Sequence, residues 1–296
     1  MSSIITKAKP NLGTLVQAGD SLVPRPSYAV RDQLARKLDA KVASGFEDVA
    51  VYSVFDITHI MHPYMHVVKS VMSDVGKETL NVHDKVSACA LGVGEHRAND
   101  VKRDIAFTLG DYGIDNKLTK DSDELIKQIN FMPVFDSEGL DFYSAYECLA
   151  HDLASRISFR KMINENSGNV ILFFGAGGPH CQDQVLIQVH PELFGCPSNR
   201  GISDLVKMAN LSDHTYFIDC HPDGYGLRSL TYAPIKHETP GKSSYFHLRD
   251  AEGVLKQTIT GIVKKAVSKK AFLDYTGSLP PQISSKVTQL IEYGKG

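Results

Sequence analysis

Tryptophan is absent from this chain, cysteine is scarce, and neither sign of charge prevails. The five cysteines, Cys89, Cys148, Cys181, Cys196 and Cys220, are too few and too scattered for a disulfide framework, and an odd number cannot all pair within one chain. Free thiols in a reducing, cytoplasmic setting are the expectation. With 32 Lys and Arg against 34 Asp and Glu the formal net charge is −2, too balanced for a nucleic-acid tail or a polybasic membrane arm. Long hydrophobic runs are missing too. The longest is Val170 to Phe174, far short of the roughly 20 residues a membrane helix needs, and the first residues lack a signal-peptide core. Neither nucleic acid nor membrane is expected among the partners.

What is present is ordinary globular composition: 296 residues, 42 % hydrophobic and 22 % charged, enough for a sizeable core. No internal repeat or low-complexity block occurs, so organisation is read from element order. Residues 1 to 46 are loosely patterned between turn signals at Asn11-Leu12-Gly13 and Pro24-Arg25-Pro26, with a short helix expected over 28 to 43. Val49 to Ile57 reads as a strand, and Tyr64 to Met72 as a helix with Met65, Val68 and Met72 on one face. These form an added N-terminal strand-helix unit, residues 1 to 82.

From residue 83 onward apolar strand-like runs alternate with helical patterns. Strands are expected at Val86 to Gly94, Phe131 to Phe135, Asn169 to Phe174, Val185 to Val189 and Thr215 to Cys220. Helices are expected at Asn99 to Leu109, Ser144 to Ile163 and Ile202 to Met208. Such alternation implies an α/β fold, a mainly parallel sheet with helices on both faces. In such sheets ligands gather beyond the carboxyl ends of the strands. Those ends carry reactive or permissive groups: Gly92, Gly94 and His96; Gly175 to Gly178 with His180 and Cys181; His190 and Glu192; Asp219, Cys220 and His221. Strand ends are also surface loops, where polar residues need no functional reason.

The order of these elements carries a resemblance. Lys85 to Gly94 followed by Arg97-Ala-Asn-Asp100, Val170-Ile-Leu-Phe-Phe-Gly-Ala-Gly-Gly178, and Tyr216-Phe-Ile-Asp-Cys-His-Pro-Asp-Gly224 resemble successive strand ends of caspase-like cysteine peptidases, nearest to metacaspases. Gln184 to Glu192 is similar to the family's hairpin. The resemblance covers roughly 83 to 296 and implies a caspase-like α/β domain there. It also implies degraded catalysis, because the family's His position falls on Gly177 and its Cys position on His221. A peptidase of this type needs a thiolate beside an imidazole. Only a displaced pair, Cys220 as nucleophile and His180 as base, restores one, and a one-residue shift along a strand turns a side chain to the opposite face.

The resemblance further implies an acidic pocket for Arg or Lys side chains, built from Asp100 and Asp219 on strands that are neighbours in that sheet. Asp100 has a plainer role as a helix-start acid. The expected function is therefore a non-proteolytic binding or assembly role toward a protein or peptide with basic side chains, with room for a homo-oligomer. The alternative is a cysteine endopeptidase cleaving after Arg or Lys.

A third class is a metal- or nucleotide-binding α/β enzyme. His59, His62 and His66 have a spacing that suits zinc if all three share a helical face, but Pro63 places His59 and His62 before the helix. Gly175-Ala-Gly-Gly178 after a strand suggests a nucleotide turn, yet it leads into a further strand-like run instead of a helix. No cofactor is expected. Cys89 and Cys148 read as small core residues, and Cys181 and Cys196 as loop thiols.

Overall fold

The computed structural model describes residues 15–18, 21–24, 45–81, 83–95, 113–134, 144–179, 196, 198–221 and 226–292. The chain divides into two compact units, 1–44 and 45–296. Of the first, the described part is an antiparallel hairpin of β1 (Leu15–Ala18) and β2 (Ser21–Pro24). The expected helix at 28 to 43 lies outside the described residues.

The second unit holds β3 (Asp48–Asp56), α1 (His62–Leu80), β4 (Val86–Val93), β5 (Gly113–Ile114), α2 (Ser122–Phe131), α3 (Tyr146–Ile163) and β6 (Ser167–Gly175). It continues with α4 (Ile202–Leu211), β7 (His214–Asp219), β8 (Ser243–His247), α5 (Leu255–Val267), α6 (Lys269–Ser278) and α7 (Pro281–Glu292). Six strands form one sheet in the order β5-β4-β3-β6-β7-β8, all parallel except β5. This is the α/β class read from the alternation.

Strand periodicity sorts the side chains into two cores. Val49, Val51, Phe55, Ala88, Ala90, Val170, Leu172, Phe174 and Ile218 face α1, α2, α5 and α7. Ala50, Tyr52, Val54, Leu91, Ile171, Phe173 and Phe217 face α3 and α4. Every residue of β4 and β6 is buried, as expected of a parallel sheet covered on both faces.

Two expectations are corrected. The strand assigned to an N-terminal extension is β3, which pairs with β4 on one side and β6 on the other. The 82/83 boundary therefore cuts through the sheet's own connections, and the compact unit begins at Gly45. A strand apolar on both faces has to sit inside a sheet. Phe131 to Phe135 is not a strand over its described part: Phe131 closes α2, whose start is fixed by the Asp121 carboxylate accepting from the Asp123 and Glu124 amides at 2.8 and 3.4 Å. The expected helix at 99 to 109 and strand at 185 to 189 lie outside the described residues.

Candidate functional site

The connection after β3 leads to β4 on one side and the connection after β6 leads to β7 on the other, so the chain's direction reverses between β3 and β6. That crevice, at the carboxyl ends of the strands, is where open α/β sheets hold ligands. β3 ends there in Asp56, which is fully buried. Its Oδ1 accepts from the Thr58 amide at 3.0 Å, the Thr58 hydroxyl at 2.6 Å and the Ser144 hydroxyl at 3.3 Å. Its Oδ2 accepts from the Tyr146 hydroxyl at 2.5 Å and the Ala176 amide at 3.5 Å. Donors from three segments thus converge on one carboxylate, which makes its burial tolerable.

Neither Asp56 nor Tyr146 is among the site residues the sequence points to. The available signal was an acid at the end of an otherwise apolar strand. Ser144 was expected to start α3, but its hydroxyl goes to Asp56 and α3 begins without a side-chain cap. Burial, then the Asp56 charge, push the Tyr146 hydroxyl well above its ordinary pKa, so it stays a donor. The Gly177 amide bonds to the same hydroxyl. A Cβ at Gly175 would lie 2.6 Å from the Tyr146 hydroxyl oxygen, so any side chain there requires β6 or Tyr146 to shift.

One strand further along, β7 pairs with β6 so that Gly175 lies opposite Asp219. Asp219 is fully buried. Its carboxylate accepts from the His221 amide at 2.9 Å and the Tyr245 hydroxyl at 3.0 Å, with a further bond from the Arg228 amide. Burial raises its pKa, and those donors and the His247 ring oppose the rise. The Arg228 guanidinium lies 5.8 Å from the centre of the Tyr245 ring, a cation–π contact.

Asp100 and His180 both lie outside the described residues. The expectation that Asp100 and Asp219 come from neighbouring strands does not hold. Asp100 follows β4, and β3 and β6 separate β4 from β7, a span of about 14 Å at the usual strand spacing. Among the described residues, the strand-end acid Asp56 closes β3, two strand spacings from β7.

Cys220 is 1 % exposed and packs with Ile218, Ala176 and Phe246 in the core on the α1/α5 side. Asp219 faces the other side with Tyr245, as the period of two requires. The thiol contacts the Ile218 carbonyl at 3.7 Å. Burial, then the charges of Asp219 and Asp56, raise its pKa well above the ordinary thiol value, the reverse of what a nucleophilic cysteine needs.

His59, His62 and His66 are all exposed. The His59 and His62 rings stack at 6.3 Å between centroids, and the three imidazoles do not converge on a point. Among the described residues one trio of ligand-type groups does converge: Glu147, Cys148 and Cys196. A cavity of about 660 Å³ lies elsewhere, between α1 (Val67, Val71) and the entry to α5 (Leu248, Ala251, Leu255), and none of the strand-end acids lines it. No helix among the described residues is long and apolar enough to cross a membrane. No family model matches the chain, and no curated protein matches it at a significant level.

Proposed function

We propose that this chain is a caspase-like-fold binding protein, not a peptidase, which receives a basic side chain of a protein or peptide partner at the carboxyl edge of its sheet. The observation that carries this reading is Cys220: the one cysteine beside both an acid and a histidine in sequence is sealed in the core on the face opposite Asp219, with its pKa raised. A thiol kept protonated and away from solvent does not attack a carbonyl. The corner formed by Asp219 and Tyr245 supports the choice of a cation. The chain's own Arg228 guanidinium is drawn to the ring whose hydroxyl holds the Asp219 carboxylate. A partner's guanidinium competes for that ring face. The reading rests on Asp219; the described cysteines form no disulfide.

The test is a pair of assays on the full chain. Calorimetric titration with a short Arg-containing peptide is expected to show binding that a Gln-substituted peptide lacks and that Asp219→Asn weakens, with the fold checked by circular dichroism. Fluorogenic peptides ending in Arg or Lys are expected to remain uncleaved. Cleavage that disappears in Cys220→Ala would instead establish the endopeptidase with Cys220 and His180 as its pair. Equal binding of the Arg and Gln peptides would remove the basic-side-chain reading.

A further inference from the structure

Away from the strand ends, the first turn of α3 and the segment leading into α4 bring two sulfurs into contact. Cys148 Sγ and Cys196 Sγ are 3.4 Å apart. A ligand oxygen of Glu147 joins them, and all three donor atoms lie within 4.8 Å of one another. Glu147 and Cys148 are fully buried and Cys196 is half-buried. We infer that Glu147, Cys148 and Cys196 form a binding site for a borderline-soft divalent ion, Zn²⁺ by donor chemistry, that ties the α4 entry segment to α3.

Two thiolates and one carboxylate are a donor set for zinc, and three protein ligands leave a fourth position for water or a small ligand. On tetrahedral zinc with Zn–S bonds of about 2.3 Å, two sulfurs lie about 3.8 Å apart, so the observed contact needs to open only slightly. An S–S bond of about 2.05 Å requires a larger closure, and it gives the neighbouring buried carboxylate no role. A divalent ion bound there would replace two thiol protons, which leave to solvent as the two metal–sulfur bonds form.

The surrounding charges are committed. Arg200 reaches the Cys148 carbonyl at 3.2 Å and lies 3.7 Å from Asp152. His151, one turn along α3, has its Nδ1 3.0 Å from the Asp204 carboxylate, and its ring is not among the groups that converge on the two sulfurs. That same ion-pair partner belongs to α4, and the metal would therefore reinforce an existing seam between α3 and α4.

Metal-free full-length protein, reduced and freed of chelator, is titrated with Co²⁺ and then Zn²⁺. A near-ultraviolet thiolate-to-cobalt charge-transfer band saturating at one ion per chain, and bleached by Zn²⁺, is expected. The band should vanish in Cys196→Ser, and Glu147→Gln should weaken binding by roughly tenfold or more. No band, or a band unchanged in Cys196→Ser, overturns the site. Loss of two mass units through a Cys148–Cys196 disulfide with no metal uptake also overturns it. If Cys196→Ser does not fold, alkylation of wild-type Cys196 decides instead: Zn²⁺ must slow it, and an unchanged rate refutes the site.

Discussion

The Tyr146 hydroxyl donates to Asp56 Oδ2 at 2.5 Å across a sequence separation of 90 residues. This bond ties the start of α3 to the end of the central strand, and the Ala176 amide brings the connection after β6 to the same carboxylate. The carboxyl edge of the sheet is thus organised around a buried acid whose donors come from three segments distant in sequence from one another.

Removing the phenolic donor leaves that acid one bond short in a dry site. Tyr146→Phe is expected to cost about 1 to 3 kcal/mol of stability, read from the urea midpoint at unchanged slope. Asp56→Ala strands several donors at once and should cost about 3 kcal/mol or more. An unchanged midpoint in both variants would show that the network is not a determinant of stability.

Gly175→Ala places a methyl 2.6 Å from the Tyr146 hydroxyl oxygen, so either β6 or Tyr146 has to move. A loss of about 1 to 3 kcal/mol is expected. In a double cycle with Tyr146→Phe the losses should be less than additive, because the phenylalanine has already removed the clashing oxygen. Strict additivity would place the strain elsewhere.

His214 has its pKa lowered to about 3 by burial, then by the charges of Lys265 and Lys242. Its Nε2 lies 2.8 Å from the Ser244 hydroxyl. The unfolded chain's imidazole, near its ordinary value of about 6.5, binds protons that the folded chain's does not. Stability therefore falls as pH drops below about 6.5, continuing toward the folded pKa. Between pH 6.5 and 5 this residue should contribute a loss of about 1 to 2 kcal/mol, seen as a steeper pH dependence of the denaturation midpoint in wild type than in His214→Gln. Parallel curves would contradict it.

Thiol reactivity separates the cysteines. Brief iodoacetamide treatment of the folded protein followed by peptide mapping should modify Cys196 and leave Cys220 and Cys89 intact. Cys89 is buried with its pKa raised to about 12, chiefly by desolvation. Denaturant should expose all of them. Rapid labelling of folded Cys220 would reopen the nucleophile reading.

The strands β4, β6 and β7 and the helices α3 and α4 were legible in sequence to within a few residues, because buried parallel strands leave dense β-branched and aromatic runs. The C-terminal part was less legible. β8 is a short strand, Ser-Ser-Tyr-Phe-His, with just two fully buried positions, too brief for a pattern, and α5 to α7 went without assignment. The run Val49 to Ile57 reads as a strand in sequence but not as one between two others, since composition reports burial and not which neighbour supplies it.

The sequence by itself determined the α/β class and where the buried strands β4, β6 and β7 run. These follow from local patterns of period two and 3.6 and from residue identity. Only the tertiary structure decided that β3 lies between β4 and β6, that Asp56 is the buried acid on which three segments converge, and that Cys220 and Asp219 face opposite sides of the sheet. It also brought Cys148 and Cys196 together across 48 residues. Pairing order and face are set by which buried surfaces fit one another, a property of contacts distant in sequence that no local pattern encodes.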